Sequence, residues 1–367
     1  GFGAFQPRGP SRLRSPAGGN PAGTFRPAAR RTGCLRVSSC AGRTSGLYLR
    51  SANGDEGRRH EAVVVNQMLR VRAPAKLNLF LHVVGRRPDG MHELQTLFQL
   101  IDLYDELTFE VAANGDLRMT GDLAVDDNLV LRAARLLAVR TGTQLGAHIH
   151  LHKRIPVEAG LGGGSSDAAA TLLALNRLWG TNLRVDALAD LGLELGADVP
   201  LFVRGVTAFG EGVGERLTEV AVAPAYYLLV MPDCSVSTPA VFTDPSLTRN
   251  TPVSTIARLL GGVAAPDPAW ICGRHRNDLE PVVRRRYPDV DEAVRWASNY
   301  GPAKMSGSGS CVFALLDDSL AESLWAGLGD ERYAAREIAR DVVHDMPERW
   351  RAYLVRGITR SPALDSL

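Results

Sequence analysis

The sequence lacks several features that are typical of membrane proteins, nucleic-acid-binding proteins and disulfide-rich secreted domains. No apolar stretch approaches the roughly 18 uninterrupted residues of a membrane helix. The formal net charge is only +2 over 367 residues, which argues against bulk electrostatic binding of nucleic acid or membrane. The five cysteines are scattered and form no CxxC pair, so neither a disulfide framework nor a zinc site is predicted. A reducing compartment is the simple interpretation.

Lysine is also scarce. Lys76, Lys153 and Lys304 are the only lysines, and every other basic position is arginine or histidine. A GC-rich coding bias accounts for this. Each lysine is still a candidate for function, because its compact ammonium differs from a planar guanidinium.

Acidic residues are almost missing from residues 1–66, where Asp55, Glu56 and Glu61 are the only ones. This segment is rich in Arg, Gly, Ser, Pro and Ala and has no apolar periodicity, which predicts a disordered extension. Its composition fits a transit peptide. It also fits an upstream extension without function, ahead of a start at Met68, and the lack of a visible amphipathic helix favours this second interpretation. The predicted location is therefore the cytoplasm, with a plastid as the alternative.

Periodicity beyond residue 68 predicts a mixture of strands and helices. Residues 69–83 alternate with period two, which predicts a strand with one buried face and with Lys76, Asn78 and His82 on the other. The mixture indicates an α+β protein of two domains, spanning residues 67–225 and 226–360. Further strands are predicted in 97–111, 147–151, 226–230 and 311–316, and helices over 129–140, 186–195 and 289–299.

Three histidines share one face of the strand at 147–151, namely His148, His150 and His152. They could bind a metal ion, or they could form a solvated outer face. The second interpretation is favoured, because no carboxylate or cysteine in the sequence is obviously placed to complete a metal site.

Four glycines lie in the segment 156–166, the central glycine loop, between a strand and an apolar helix. Glycines let a backbone approach a ligand closely, and the start of a helix directs free N–H groups and a positive dipole end to the same point. The pattern suits a phosphate, although a flexible turn is an equally simple interpretation. It is neither a Walker A motif nor a Rossmann fingerprint.

Asp198 stands between Gly196 and Pro200. We expect a helix to end at the glycine and Pro200 to force Val199 out of helical geometry, which would hold Asp198 on a rigid non-helical segment. A carboxylate there could accept the proton of a substrate hydroxyl. On spacing alone, an aspartate that caps a turn is the favoured interpretation.

Two further segments carry candidate residues. Lys76 and Asn78 share a strand face, so both could point at one ligand, or Lys76 could face solvent. Residues 304–310, the late glycine loop, are rich in Gly and Ser and precede a strand.

Together, and in this order, these motifs resemble the superfamily of galactokinase, homoserine kinase, mevalonate kinase and phosphomevalonate kinase. Residues 69–358 resemble its 4-diphosphocytidyl-2-C-methyl-D-erythritol kinase family in the segments 74–79, 89–96, 160–166 and 196–200. The resemblance implies a ribosomal protein S5 domain 2-like N-terminal domain and a ferredoxin-like C-terminal domain. It also implies phosphorylation of the substrate 2-hydroxyl with ATP and Mg²⁺, in the non-mevalonate route to isoprenoids.

The resemblance also implies roles for individual residues. Asp198 corresponds to the catalytic base and Lys76 to its partner. Met91 stands where the family usually has a tyrosine that stacks on cytosine, which predicts weaker stacking. The segments implied to bind ATP are Asn128 and Pro156, Val157, Glu158, Ala159, Gly160, Leu161, Gly162, Gly163, Gly164, Ser165 and Ser166. Those implied to bind the cytidine diphosphate substrate are Asn78, Met91, His92, Thr238, Pro239 and Phe242.

Other functions compatible with the sequence are a different kinase of the superfamily, a nucleotide sensor without catalysis, and an RNA-binding protein on the S5-like fold. The segment 89–93 speaks against the first, and the presence of both Asp198 and Lys76 against the second. Only the arginine-rich extension favours the third. The predicted partner is therefore a small molecule, with neither nucleic acid nor membrane expected, and the oligomeric state is left open.

Overall fold

The computed structural model describes residues 68–326 and 345–366, and the predicted extension over residues 1–66 lies outside them. The protein is α+β. The strands are β1 (Met68–Arg86), β2 (His92–Ala112), β3 (Leu117–Gly121), β4 (Gly146–His152), β5 (Ala208–Gly212), β6 (Arg216–Glu219), β7 (Tyr226–Met231), β8 (Ala303–Met305), β9 (Val312–Leu316) and β10 (Arg351–Ile358). The helices are α1 (Leu129–Thr141), α2 (Gly163–Leu178), α3 (Val185–Leu195), α4 (Val199–Arg204), α5 (Thr238–Phe242), α6 (Ile256–Leu259), α7 (Pro268–Arg274), α8 (Glu280–Arg286), α9 (Pro288–Ala297) and α10 (Asp318–Ala326).

The ten strands of the described residues form one sheet, whose main path runs β3-β4-β2-β10-β7-β9-β8. β1 and β2 form a long antiparallel hairpin, with Met68 opposite Glu110 and Arg86 opposite His92. β10 pairs with β2 through Gly357 and with β7 along most of its length. The last strand of the chain therefore connects the strands of the first half to those of the second.

The strands and helices predicted from periodicity are confirmed, with ends shifted by a few residues. α1 shows why such local signals are dependable. Its N-cap side chain, Asn128, accepts a hydrogen bond from the backbone N–H of Val130 at 2.9 Å, and Gly142 ends the helix in the left-handed conformation.

The prediction that β1 has only one buried face is wrong. Ala73 to Val83 are buried at every position, including Lys76 (3% exposed), Asn78 and His82. The odd positions pack into the cores, as alternation requires. Of the even positions, Phe80 also packs into a core. Asn78 is approached by the late glycine loop, where the Ser306 hydroxyl accepts a hydrogen bond from Asn78 N.

Two helical groups cover the sheet. α1 to α4 share a core with β1, β2 and β4 that includes the buried side chains of Leu137, Leu172 and Phe202. In the second half, α8 and α9 pack on β7 and β9 around Val283, Val290 and other buried residues. Among the described residues, no helix is both long and apolar enough to cross a membrane.

The histidine face of β4 is exposed at His148, His150 and His152. Two carboxylates lie beside it, contrary to the sequence expectation: Asp116 is 3.3 Å from His148 and Asp122 is 3.3 Å from His152. They come from segments next to β3, which pairs with β4. The described part of the chain contains no cluster of three or more His, Cys, Asp or Glu side chains suited to a metal ion.

His82 should make the protein sensitive to acid. Burial lowers the pKa of His82 to about 4, only partly opposed by Asp278, and its Nδ1 atom has no hydrogen-bond partner. Because the unfolded chain takes up this proton near its ordinary pKa of about 6.5, the free energy of unfolding falls as the pH drops from 7 to 5. We expect a loss of about 2 kcal/mol from this group. His82→Leu should reduce this fall in denaturant titrations at the two pH values; an unchanged fall would contradict the assignment.

Candidate active site

The central glycine loop separates two cavities. The α2 cavity, of about 370 Å³, lies at the N-terminal end of α2 and is lined by residues 156–165 together with Leu123, Asn128, Leu129, Lys153 and Asp167. The β1 cavity, of about 540 Å³, is lined by residues of β1, the hairpin turn, α5 and the late glycine loop. Gly160, Gly162 and Ser165 line both. A group bound in one cavity could therefore reach a group bound in the other across this loop.

The loop has the conformation that its glycines permit. Gly160 and Gly162 have φ angles of 77° and 74°, in the left-handed region that side chains disfavour. Gly162 is the N-cap of α2, so the free N–H groups of the first turn are directed toward the α2 cavity. This end of the helix favours negative charge, as a phosphate would supply.

Most of the predicted ATP residues line the α2 cavity. Asn128 does so while its side chain caps α1 and also donates to the carbonyl of Leu123 at 3.1 Å. Ser166 is the exception, because it lies in the first turn of α2 with 1% of its surface exposed and its hydroxyl lacks a hydrogen-bond partner. The neighbouring residue, Ser165, is the serine that lines the cavity.

A buried cluster of three charged side chains lies beside the central glycine loop. This cluster was not predicted from the sequence. The ammonium of Lys153 donates to Asp105 at 2.5 Å and to Asp167 at 2.8 Å. Asp105 also accepts from the backbone N–H groups of Arg154 and Ile155. Burial and the nearby Asp105 carboxylate raise the pKa of Asp167, and the two carboxylates raise the pKa of Lys153 despite its burial. The scarcity of lysine was the only sequence signal for this cluster.

Lys76 and Asp198 meet in the β1 cavity beside the central glycine loop, with Nζ and Oδ2 3.6 Å apart. The Lys76 ammonium also donates to the Asn78 side chain at 2.5 Å and to the carbonyl of Gly160 at 2.9 Å. The Asn78 amide in turn donates to Thr96 at 2.8 Å. Lys76 is therefore held by three oxygens and does not face solvent.

The predicted geometry around Pro200 is wrong. α3 does end at Leu195 with Gly196 as its C-cap, but Val199 is the first residue of α4 and Pro200 lies in the first turn. Proline is tolerated there because the first N–H groups of a helix have no partner within it. Asp198 is the N-cap residue, and its side chain makes no capping hydrogen bond. Its carboxylate is thus available to the cavity, where 32% of the side chain is exposed.

The predicted substrate residues come together in the β1 cavity, although they derive from β1, the hairpin turn, the start of β2 and α5. The His92 and Phe242 rings lie 5.0 Å apart between centroids. Met91 is 52% exposed at the rim. The residues of this predicted set that line the cavity are Asn78, Met91, His92, Thr238, Pro239 and Phe242.

The late glycine loop completes the cavity, which the sequence did not specify. Gly307 and Ser308 line it, and the hydroxyls of Ser308 and Thr238 lie 2.6 Å apart. Asn277 holds this loop by donating to the carbonyls of Met305 and Gly307 at 2.9 and 2.7 Å. Its glycine and serine composition was a signal for a loop, but not for contact with the central glycine loop.

The fold and the site define a class of enzyme. Residues 128–206 match the family described as GHMP kinases N terminal domain, and residues 269–335 match GHMP kinases C terminal. The crystal structure of homoserine kinase from Cytophaga hutchinsonii shares the fold, with a TM-score of 0.57 at 17% identity over 83% of this chain and 98% of that one. The protein is thus a two-domain kinase of the GHMP type.

Relatives with higher sequence identity indicate which family of kinases within this class the chain resembles. The 4-diphosphocytidyl-2-C-methyl-D-erythritol kinase of Chromohalobacter salexigens is 49% identical over 82% of this chain and 95% of its own length. That of Bordetella bronchiseptica is 58% identical over 66% and 81%. A crystal structure of 4-(cytidine 5'-diphospho)-2C-methyl-D-erythritol kinase matches with a TM-score of 0.61 and 34% identity, over 79% of this chain and 100% of that one. The chain belongs to the 4-diphosphocytidyl-2-C-methyl-D-erythritol kinase family, which confirms the resemblance seen in its motifs.

Proposed function

We propose that this kinase transfers the γ-phosphoryl group of ATP to the 2-hydroxyl of 4-diphosphocytidyl-2-C-methyl-D-erythritol, in the non-mevalonate route to isoprenoid precursors. The observation that carries the proposal is the Lys76–Asp198 pair, 3.6 Å apart, beside the loop that lines both cavities. ATP occupies the α2 cavity and the cytidylyl substrate the β1 cavity. The reacting hydroxyl then lies at Asp198, facing the loop.

In this mechanism Asp198 is the general base. Its carboxylate accepts the proton of the substrate hydroxyl as that oxygen forms a bond to the γ-phosphorus, and the bond from this phosphorus to the bridging oxygen breaks, releasing ADP. The Lys76 ammonium, 3.6 Å from the Asp198 carboxylate, stabilises negative charge on the attacking oxygen. The N-terminus of α2 stabilises charge on the phosphates.

Mg²⁺ would be held mainly by the ATP phosphates. The described residues around the α2 cavity offer the Ser165 hydroxyl and the Asp167 carboxylate, whose Oδ2 is paired with Lys153 and whose Oδ1 has no hydrogen-bond partner. Mg²⁺ commonly binds nucleotide phosphates with only one or two protein ligands, so this donor set fits the ion. When bound, it would neutralise charge that develops between the β- and γ-phosphates.

The same proposal includes the nature of the two domains, the residues that bind each ligand and the location of the protein. Residues 67–225 form the S5-like ATP-binding domain and residues 226–360 the ferredoxin-like domain. Asn128 lies near the adenine, and the six residues of the β1 cavity named above hold the cytidine diphosphate. The cytoplasm is the proposed location.

A direct assay tests the reaction. The purified chain is incubated with ATP, Mg²⁺ and the cytidylyl methylerythritol, and phosphorus NMR is used to follow the appearance of a new phosphomonoester together with ADP. Mevalonate and homoserine, supplied separately, should give no such signal. A phosphomonoester formed from either of them, and none from the cytidylyl polyol, would contradict the proposed substrate.

Met91 offers a test of the base-binding end. Met91→Tyr should lower the KM for the cytidylyl substrate several-fold, because aromatic stacking on a base is worth about 1–3 kcal/mol and a methionine thioether recovers part of this. The kcat and the KM for ATP should hardly change, since binding is strengthened uniformly. Steady-state kinetics with each substrate varied provides the measurement.

The alanine variants of Phe242 and Met91 show which of the two side chains contributes more to substrate binding. Phe242→Ala should raise the KM for the cytidylyl substrate more than Met91→Ala, because Phe242 is the less exposed of the two. The assignment fails if Met91→Tyr leaves that KM unchanged, or if Met91→Ala is the more damaging truncation.

A further inference from the structure

Arg249 is a guanidinium behind the β1 cavity that no step of the proposed mechanism uses. It lies just beyond α5, and its Nε–H donates to Nε2 of His92 at 3.1 Å. The same side chain donates to the carbonyls of Phe242 at 2.8 Å, Asp244 at 2.7 Å and Leu247 at 3.2 Å. One partly buried residue thus connects the α5 segment to His92, which is 157 positions away.

The hydrogen bond from Arg249 determines which ring nitrogen of His92 carries the hydrogen. A guanidinium is a donor only and stays protonated in proteins. Nε2 of His92 must therefore be the acceptor, which places the ring hydrogen of a neutral imidazole on Nδ1. Burial first, and then the positive charges of Arg249 and Arg86, lower the pKa of His92, in agreement with a neutral ring. Within the described residues, Nδ1 has no protein partner, so its N–H is free to donate to a ligand.

We infer that Arg249 is a positioning residue that fixes His92 as its Nδ1–H tautomer, and that this fixed donor selects cytosine over uracil. The inference rests on the proposed function, because it requires the pyrimidine to lie in the β1 cavity. Arg249 itself does not line that cavity. It acts through His92 and through the carbonyl of Phe242, whose ring is 5.0 Å from the imidazole.

The two bases differ at the position that such a donor would meet. Cytosine N3 is an acceptor and can receive a hydrogen bond from the Nδ1–H of His92. Uracil carries a hydrogen on N3, so two donors would face each other and no hydrogen bond would form. A site built to make a hydrogen bond discriminates strongly against a ligand that leaves its buried polar group unpaired. An imidazole free to change tautomer could present a bare nitrogen to uracil N3–H and would discriminate less.

The tautomer can be measured in the wild-type chain without any substrate. In protein labelled with ¹⁵N-histidine, the ring nitrogen that bears hydrogen is shifted far from the bare one, and couplings to the carbon-bound ring hydrogens distinguish Nδ1 from Nε2. The signals of His92 are those among the eight histidines that disappear in His92→Asn. We expect hydrogen on Nδ1 and a bare Nε2 at neutral pH. Hydrogen on Nε2, or averaged shifts, would overturn the inference.

The variant test uses two arginines that hold the same segment. Arg249→Met removes the donor to His92. Arg286→Met is the matched control, because Arg286 contacts the Asp244 carboxylate and the Ala240 carbonyl but not His92. Arg249→Met should average the His92 ring shifts and raise the KM for the cytidylyl substrate up to about tenfold, the value of one hydrogen bond. Its kcat and KM for ATP should stay near wild type, and Arg286→Met should change none of these.

Base selection completes the test. The ratio of kcat/KM for the cytidylyl substrate over its uridylyl analogue should fall in Arg249→Met and remain in Arg286→Met. An unchanged ratio with averaged His92 shifts, or equal losses in both variants, would overturn the role in selection. If His92→Asn and Phe242→Ala leave the KM for the cytidylyl substrate unchanged, the base lies elsewhere and the proposed site fails, whatever tautomer the NMR shows.

Discussion

Asp198→Asn is expected to lower kcat by about 10²–10⁴-fold, the usual contribution of a general base. Asparagine has the same shape but cannot accept the hydroxyl proton. The KM for ATP should stay near wild type, because Asp198 lines the β1 cavity and not the α2 cavity. Single-turnover kinetics with saturating ATP would measure the chemical step directly.

The fold should survive this change. Asp198 makes no capping hydrogen bond to α4, so its replacement removes no structural contact other than the ion pair with Lys76. Asp186→Asn is the matched control, since it breaks an exposed ion pair with Arg204 at the start of α3, away from both cavities. A wild-type kcat in Asp198→Asn, with Tm unchanged, would remove Asp198 from the mechanism.

The features that could be predicted from the sequence are those specified within a short segment. The central glycine loop is an example, because the left-handed glycines and the start of α2 are both local properties. The cap of α1 by Asn128 is another. Period-two alternation correctly predicted β1 and placed Lys76 and Asn78 on one face, where they are hydrogen-bonded to each other.

The features that could not be predicted depend on contacts between distant segments. Alternation along β1 indicates what each face carries but not what covers it, so the burial of the Lys76 face was missed. The pairing of Lys153 with Asp105 and that of Arg249 with His92 join residues 48 and 157 positions apart. Pro200 illustrates a different limit: a proline can end one helix or lie in the first turn of the next, and the local sequence permits both.

The contact between the two glycine loops leads to the second large effect. Gly160 has a φ of 77°, and a Cβ atom added there would lie 2.5 Å from the carbonyl oxygen of Ser306 and 3.0 Å from that of Gly309. Both are backbone atoms, so the late glycine loop would have to move. The carbonyl of Gly160 also accepts the hydrogen bond from Lys76. A methyl group at this position therefore disturbs the loop, the cavity wall and the lysine together.

We expect Gly160→Ala to lower kcat/KM by about 10²-fold, the scale that a displacement of about 1 Å can cost a positioned reaction. Stability should also fall, because a non-glycine residue in the left-handed region costs about 1–2 kcal/mol. Gly142→Ala separates the two effects. Gly142 has a φ of 69° but nothing within 4 Å of an added Cβ, so it carries the same backbone strain without the collision.

The two alanine variants should therefore lose similar conformational stability from strain, with a further loss in Gly160→Ala from the collision with the late glycine loop. Only Gly160→Ala should lose activity at a temperature where both variants are folded, as judged by circular dichroism. Equal kcat/KM values in the two variants would mean that the contact between the glycine loops does not position the reacting groups. A loss confined to the KM for ATP would place the damage in the α2 cavity alone. A loss in kcat would be expected if the displaced Gly160 carbonyl also releases Lys76 from Asp198, because that pair is proposed to act in the chemical step.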